Sequence, residues 1–181
     1  MEKVISTERL ILKPTLDDID KTEEILSQII AADEFEFYFG IDNSEINRKQ
    51  FSVYKKGFYN IFDRENNLVG YVGVHREETD YEVEIYIFAQ YRRRGFAKET
   101  LSAIIDAAFS GEIEAITEDF EAIVSSVREE NLPSRAMMES IGFGEENQIF
   151  GFFIVDDMNF VNLKLVYYRL TREKFYGKNA E

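Results

Sequence analysis

Arg92, Arg93 and Arg94 are followed directly by Gly95, Phe96 and Ala97, at the point where a strand pattern gives way to a helical one. Upstream, Val83, Ile85 and Ile87 alternate with Glu82, Glu84 and Tyr86, the period of a strand. Downstream, Ala97, Leu101, Ile104, Ile105 and Ala108 recur at helical spacing. A helix that begins at a glycine leaves its first N–H groups unpaired and aimed outward, with the positive end of the helix dipole behind them. Gly95 lets the backbone come close to a ligand, and the arginine side chains add positive charge. Phosphate suits such a cradle. Away from a strand-to-helix junction the same triplet would read as a solvated basic turn.

Other side chains with chemical capacity lie on either side of this junction. Glu82 and Glu84 share one face of the strand, where the plain reading is two solvated carboxylates. Asn131 precedes a helix predicted from Pro133 to Ile141 and stopped by Gly142. There Asn131 suits the N-cap, and Ser134 lies in the first turn. The single histidine, His75, ends a strand beside Arg76. It could act as a base, although a lone histidine is more often structural. With one histidine and no cysteine, disulfides, thiolate nucleophiles and cysteine metal sites are excluded and no metal centre is expected.

The elements that must position these groups read as one continuous domain over residues 1–181, with no repeat or linker to divide them. Arg9 to Pro14 predicts a first strand, and Leu16-Asp17-Asp18 opens a helix bearing Ile19, Thr22, Ile25, Leu26, Ile29 and Ile30. Ser44 caps a second helix reaching about Lys56. Strands at Phe58 to Asp63 and Leu68 to His75 flank the turn Arg64-Glu65-Asn66-Asn67, and Tyr81 to Ile87 adds a third antiparallel member. The helix from Ala97 to about Phe109 then leads to an apolar strand at Glu121 to Val127, which implies local parallel pairing. Gln148 to Val155 and Leu163 to Leu170 close as a hairpin. The fold class is α+β, an α/β sandwich with a mixed, mostly antiparallel sheet of about seven strands and about four helices. Its cleft should open near residues 88 to 97.

Net charge is −14, which disfavours nucleic acid and favours cationic small molecules or basic peptides as partners. No apolar run is long enough to span a membrane, and the first residues carry no signal-like segment, so a cytoplasmic protein is expected. The acidic aromatic stretch Glu34-Phe35-Glu36-Phe37-Tyr38-Phe39 would suit a cationic amine if it formed a pocket wall. At least half of those rings read more simply as core.

Three segments together resemble the GNAT superfamily of acyl-CoA-dependent N-acetyltransferases. Arg92-x-x-Gly95-x-Ala97 fits that superfamily's Arg/Gln-x-x-Gly-x-Gly/Ala loop. Asn131-Leu132-Pro133-Ser134 followed by Glu139-Ser140-Ile141-Gly142-Phe143 is similar to its Asn-x-x-Ser…Gly-Phe segment. The opening Thr7-Glu8-Arg9-Leu10-Ile11-Leu12-Lys13-Pro14 and the ending Tyr168 to Glu173 resemble the branch containing ribosomal-protein N-terminal acetyltransferases.

The resemblance implies acetyl-CoA as cosubstrate and transfer of its acetyl group to a primary amine, on a protein N-terminus or a small cationic amine, by direct attack in a ternary complex. It implies pyrophosphate held on the N–H groups of Arg93, Arg94, Gly95, Phe96 and Ala97, and pantetheine paired with the main chain at Ile85 and Ile87. Asn131 would reach the pantetheine. Glu82 and Glu84 are the candidates for the proton acceptor. Many members protonate the leaving thiolate with a tyrosine where this chain has Met138, which leaves Ser134 as the better donor. Met138, and Ala89 where proline is common, also support a second reading, an acyl-CoA-binding or regulatory module with weak catalysis. A monomer and a homodimer both fit.

Overall fold

Tyr, Phe, Val and Ile crowd the segments between residues 58 and 87 on both sides of the chain, and such residues favour strands sandwiched between two apolar layers. The computed structural model describes residues 3–17, 23–25, 27–29, 56–77, 79–156 and 159–178. In it, β1 (Ile5–Ser6), β2 (Leu10–Pro14), β3 (Phe58–Asp63), β4 (Leu68–Glu77) and β5 (Asp80–Ile87) follow one another as antiparallel neighbours. α1 (Phe96–Phe109) carries the chain to β6 (Ala122–Arg128). After α2 (Leu132–Ile141), the hairpin of β7 (Gly144–Asp156) and β8 (Asn159–Thr171) completes the sheet, and α3 (Arg172–Lys178) follows. The sheet order is β1-β2-β3-β4-β5-β6-β8-β7.

Each face has its own core. Leu10, Leu12, Val72, Val74, Tyr81 and Val83 pack with Leu101, Ile104, Ile105 and Ala108 of α1. Phe58, Tyr71, Tyr86 and Phe88 pack on the opposite side with Ile25 and Ile29, which are helical and fully buried. The β3–β4 turn is built by Asp63, whose Oδ1 accepts the Glu65 and Asn67 N–H groups at 3.0 and 2.8 Å; Asn66 takes the left-handed conformation there, φ 64°.

The predicted architecture is the observed one, with differences at several element ends and the addition of α3, seven residues that leave no period in the sequence. The sheet has eight strands, not seven, because two residues, Ile5 and Ser6, pair with Leu12 and Ile11 and are too short to leave a sequence period. β7 begins at Gly144, four residues before the predicted start, where the polar run Glu145-Glu146-Asn147 is held by pairing to Tyr168 and Tyr167 across a bulge. Residues 15–17 form a 3-10 turn, and the remainder of the helix predicted from Leu16 is helical at 23–25 and 27–29. The helix predicted from Ser44 and the Glu34–Phe39 stretch lie outside the described residues.

The decisive feature is where β5 and β6 meet. They are the parallel pair, and they bond at two positions, Tyr81 with Ile123 and Glu82 with Val124. Beyond Glu82 the strands part. Each keeps its other partner, β4 for β5 through Ile87 and β8 for β6 through Arg128, so a wedge opens inside the sheet toward the end of β5.

Candidate active site

Two side-chain bonds fasten the vertex of the wedge. Ser125 Oγ donates to the Val83 carbonyl at 3.1 Å, and the Ser126 N–H donates to Glu82 Oε1 at 2.9 Å. The first bond also fixes strand polarity: Val83 turns its carbonyl toward β6. Main-chain groups of successive strand residues face opposite edges, so Ile85 and Ile87 turn theirs into the wedge as well. Arg92 Nε reaches the Ile87 carbonyl from that side at 2.8 Å. An extended amide-bearing ligand in the wedge can therefore pair with Ile85 as a further strand would.

The wedge continues into a cavity of about 540 Å³ between the end of β5 and the first turns of α1 and α2. Ile85, Ile87, Arg92, Arg93, Gly95, Phe96, Ala97, Asn131 and Ser134 line it, nine residues selected from the sequence. Pro133, which opens the predicted helix, lines it too, as do Tyr91, Lys98, Glu130 and Met137, which the sequence did not single out. Arg94 is not among the lining residues; its guanidinium lies 5.5 Å above the Tyr91 ring. Arg92 is similarly seated, 5.5 Å from the Tyr86 ring centre. In the loop, Arg93 and Gly95 both take positive φ, 61° and 80°. Alternation of left-handed residues in a turn gathers successive N–H groups toward one point and makes an anion nest. At Arg93, a non-glycine, that conformation is strained, as is common at binding sites.

On the other wall of the cavity, the chain enters α2 through a tight turn in which the Leu132 N–H donates to the Glu130 carbonyl at 2.9 Å. Asn131 Oδ1 accepts the Ser134 N–H at 3.3 Å and so caps the helix while lining the cavity. Its amide NH2 is not used by the cap. Asn131→Ala is expected to lower stability by about 1 kcal/mol through loss of that cap, measurable by urea unfolding. Met138 is 3 % exposed and packs in the α1-side core.

Glu82 and Glu84 occupy the opposite face of β5 from Val83, Ile85 and Ile87, and they are not in the cavity lining. Glu84 accepts a hydrogen bond from Tyr71, whose phenol is pushed far up by burial and by the Glu84 charge and so remains a donor. Glu82 stands directly across from His75, with Nε2 to Oε2 at 3.6 Å. Burial pushes the Glu82 carboxyl up, but the His75 contact and the Ser126 N–H outweigh it and leave the carboxyl below its ordinary 4.5. Glu77 joins the pair, so one imidazole and two carboxylates offer ligand atoms within 4.8 Å of one another, although the lone histidine argued against a metal. His75 is thus tied to the Glu82 carboxylate and stacked on Phe58.

Two of the carboxylates near the site have lowered pKa values. Glu99 in α1 is pushed up by burial but drawn down further by Thr7 and by the main chain and side chain of Arg9. A group whose folded pKa is depressed adds stability above its unfolded value and loses it as the pH falls through the folded one. Stability is therefore expected to decline below pH 4.5, the ordinary value of both groups. Glu82→Gln and Glu99→Gln should each flatten that decline in melts recorded from neutral to acid pH.

A sheet that splits beside a loop of this kind offers an extended, anionic ligand a free strand edge and a group of N–H donors. Solved structures share this fold. An acetyltransferase (GNAT family) from Bacillus anthracis superposes with a TM-score of 0.72 at 22% identity, covering 94% of this chain and 99% of that one. RimL, a ribosomal α-N-protein acetyltransferase, gives 0.70 at 16% identity over 94% and 95%. A spermidine N-acetyltransferase from Vibrio cholerae, in complex with CoA and spermine, gives 0.64 at 17% identity over 94% and 99%. No functionally curated sequence matches the chain. The sequence profile of the acetyltransferase (GNAT) domain matches residues 9–144, and the chain belongs to the GNAT acetyltransferase family. No described helix is long and apolar enough to cross a membrane.

Proposed function

We propose that this protein transfers the acetyl group of acetyl-CoA to a primary amine on a cationic acceptor, a polyamine or a basic protein N-terminus. The parting of β5 from β6 immediately beyond Glu82 carries the reading. It presents the main chain of Ile85 to pantetheine on a line that ends at the nest of residues 93–97, where the pyrophosphate is held. Asn131 supports the pantetheine from the α2 side.

The acceptor approaches from the opposite face of β5. The register of the β4–β5 hairpin gathers Glu77, Asp80, Glu82 and Glu84 on that face; Asp80 is paired with Arg169 at 3.4 Å, and the field of the other three carboxylates favours a cation. Glu82 takes the proton from the ammonium, with the His75 imidazole 3.6 Å from its Oε2. The freed amine attacks the thioester carbonyl. A C–N bond forms, the C–S bond breaks, and the proton the nitrogen sheds on becoming an amide passes through the Ser134 hydroxyl, which gives its own proton to the departing sulfur and is restored by the one it receives. Glu84, held on the Tyr71 hydroxyl, supplies counter-charge to the acceptor.

A second reading, a CoA-binding module with weak transfer, draws on Met138, which is a core residue and offers no hydroxyl to the leaving thiolate. Thiol release from acetyl-CoA against polyamines, basic N-terminal peptides and neutral amines separates the two. Turnover that prefers the cationic amines supports transfer; CoA binding without turnover across the panel supports the module and contradicts the transferase.

A further inference from the structure

We infer that Arg9 is a positioning residue that sets the conformation of the cofactor loop from the bend that leads into β2. The inference rests on the reading of residues 93–97 as the CoA cradle. Arg9 Nη1 donates to the Arg94 carbonyl at 2.8 Å. In a trans peptide the C=O and the following N–H point in opposite directions, so pinning the Arg94 carbonyl toward β2 aims the Gly95 N–H away from Arg9, and Gly95 lines the cavity.

The same guanidinium is held by three further contacts. Nε and Nη2 approach Glu99 Oε2 at 2.7 and 2.6 Å, and the group lies 4.9 Å above the Phe96 ring. The other Glu99 oxygen accepts the Arg9 N–H at 2.9 Å and the Thr7 hydroxyl. Thr7 and Arg9 thus close a clasp around the first turn of α1, joining chain segments about ninety residues apart. The Arg9 charge is spent on Glu99, so its effect on the cofactor runs through geometry and not through direct attraction to phosphate.

A planar fork is required, because one group must reach a carbonyl and a carboxylate while stacking on a ring. Lysine keeps the charge and cannot do all three.

The test is CoA titration by calorimetry and steady-state kinetics on the full chain, comparing wild type with Arg9→Gln, Arg9→Lys and Glu99→Gln. Loss of one charge-assisted bond that orders the nest predicts a rise of about tenfold in the CoA Kd and acetyl-CoA KM for both Arg9 variants, with kcat at saturation changed less than about twofold. Glu99→Gln, approached from the partner side, should move Kd the same way. If Arg9→Gln fails to fold, Arg9→Lys carries the test, since it retains charge and stem. Arg9→Lys binding CoA as tightly as wild type overturns the clasp, as does a fall in kcat with KM unmoved. Failure of the wild-type chain to bind CoA overturns the cradle reading and the clasp with it.

Discussion

Gly95→Val is expected to weaken acetyl-CoA binding about a hundredfold, the loss of one or two hydrogen bonds to a charged phosphate. Gly95 has φ 80° and serves as the N-cap of α1. A β-branched residue in that conformation is a steric outlier. Its Cβ would also stand 3.2 Å from Arg9 Nη2. The loop can accommodate valine by rotating out of the left-handed region, and that rotation turns N–H groups away from the cavity. The fold itself should survive, since α1 is anchored downstream by the buried Leu101, Ile104 and Ile105. Calorimetric titration with CoA reads the effect directly, and unaltered affinity would mean that the phosphates are held elsewhere.

Glu82→Gln is expected to lower kcat by about 10²-fold or more, within the range set by loss of a general base. Glutamine keeps an oxygen for the Ser126 N–H, so the vertex of the wedge is retained while the proton acceptor is removed. The acetyl-CoA KM should therefore stay near wild type. Glu84→Gln provides the contrast: it preserves an acceptor for the Tyr71 hydroxyl and removes only charge, so the acceptor KM should rise more than kcat falls. Wild-type kcat in Glu82→Gln would remove that residue from the chemistry and direct attention to Glu84.

Most of the cavity lining could be named before the fold was known, for identifiable reasons. The loop announced itself because a glycine after three arginines sits where a period of two changes to a period of 3.6, and both periods are local. Asn131 was expected both to cap α2 and to face the ligand, and it caps the helix and lines the cavity. Long-range contacts were not legible. The pairing of His75 with Glu82 depends on hairpin register, and the contact of Arg9 with Glu99 and the Arg94 carbonyl depends on how β2 lies against α1. The resemblance of Thr7-Glu8-Arg9 to a family opening carried a hint of the second without its physical reason. The wedge was equally hidden, since the sequence of β6 implies a strand but not that its pairing with β5 stops after two residues. β1 and α3 were missed because two residues and seven residues are too short to declare a period.

Backbone amide hydrogen exchange with and without CoA reads, residue by residue, whether the cofactor lies along the β5 edge. Ile85 and Ile87 turn their main chain into the wedge, whereas Glu82 and Glu84 belong to the edge bonded to β4. Seating of CoA in the wedge should slow exchange at Ile85, Ile87 and residues 93–97 and leave Glu84 unchanged. Protection that misses both Ile85 and the loop, or that falls on another part of the sheet, would contradict it.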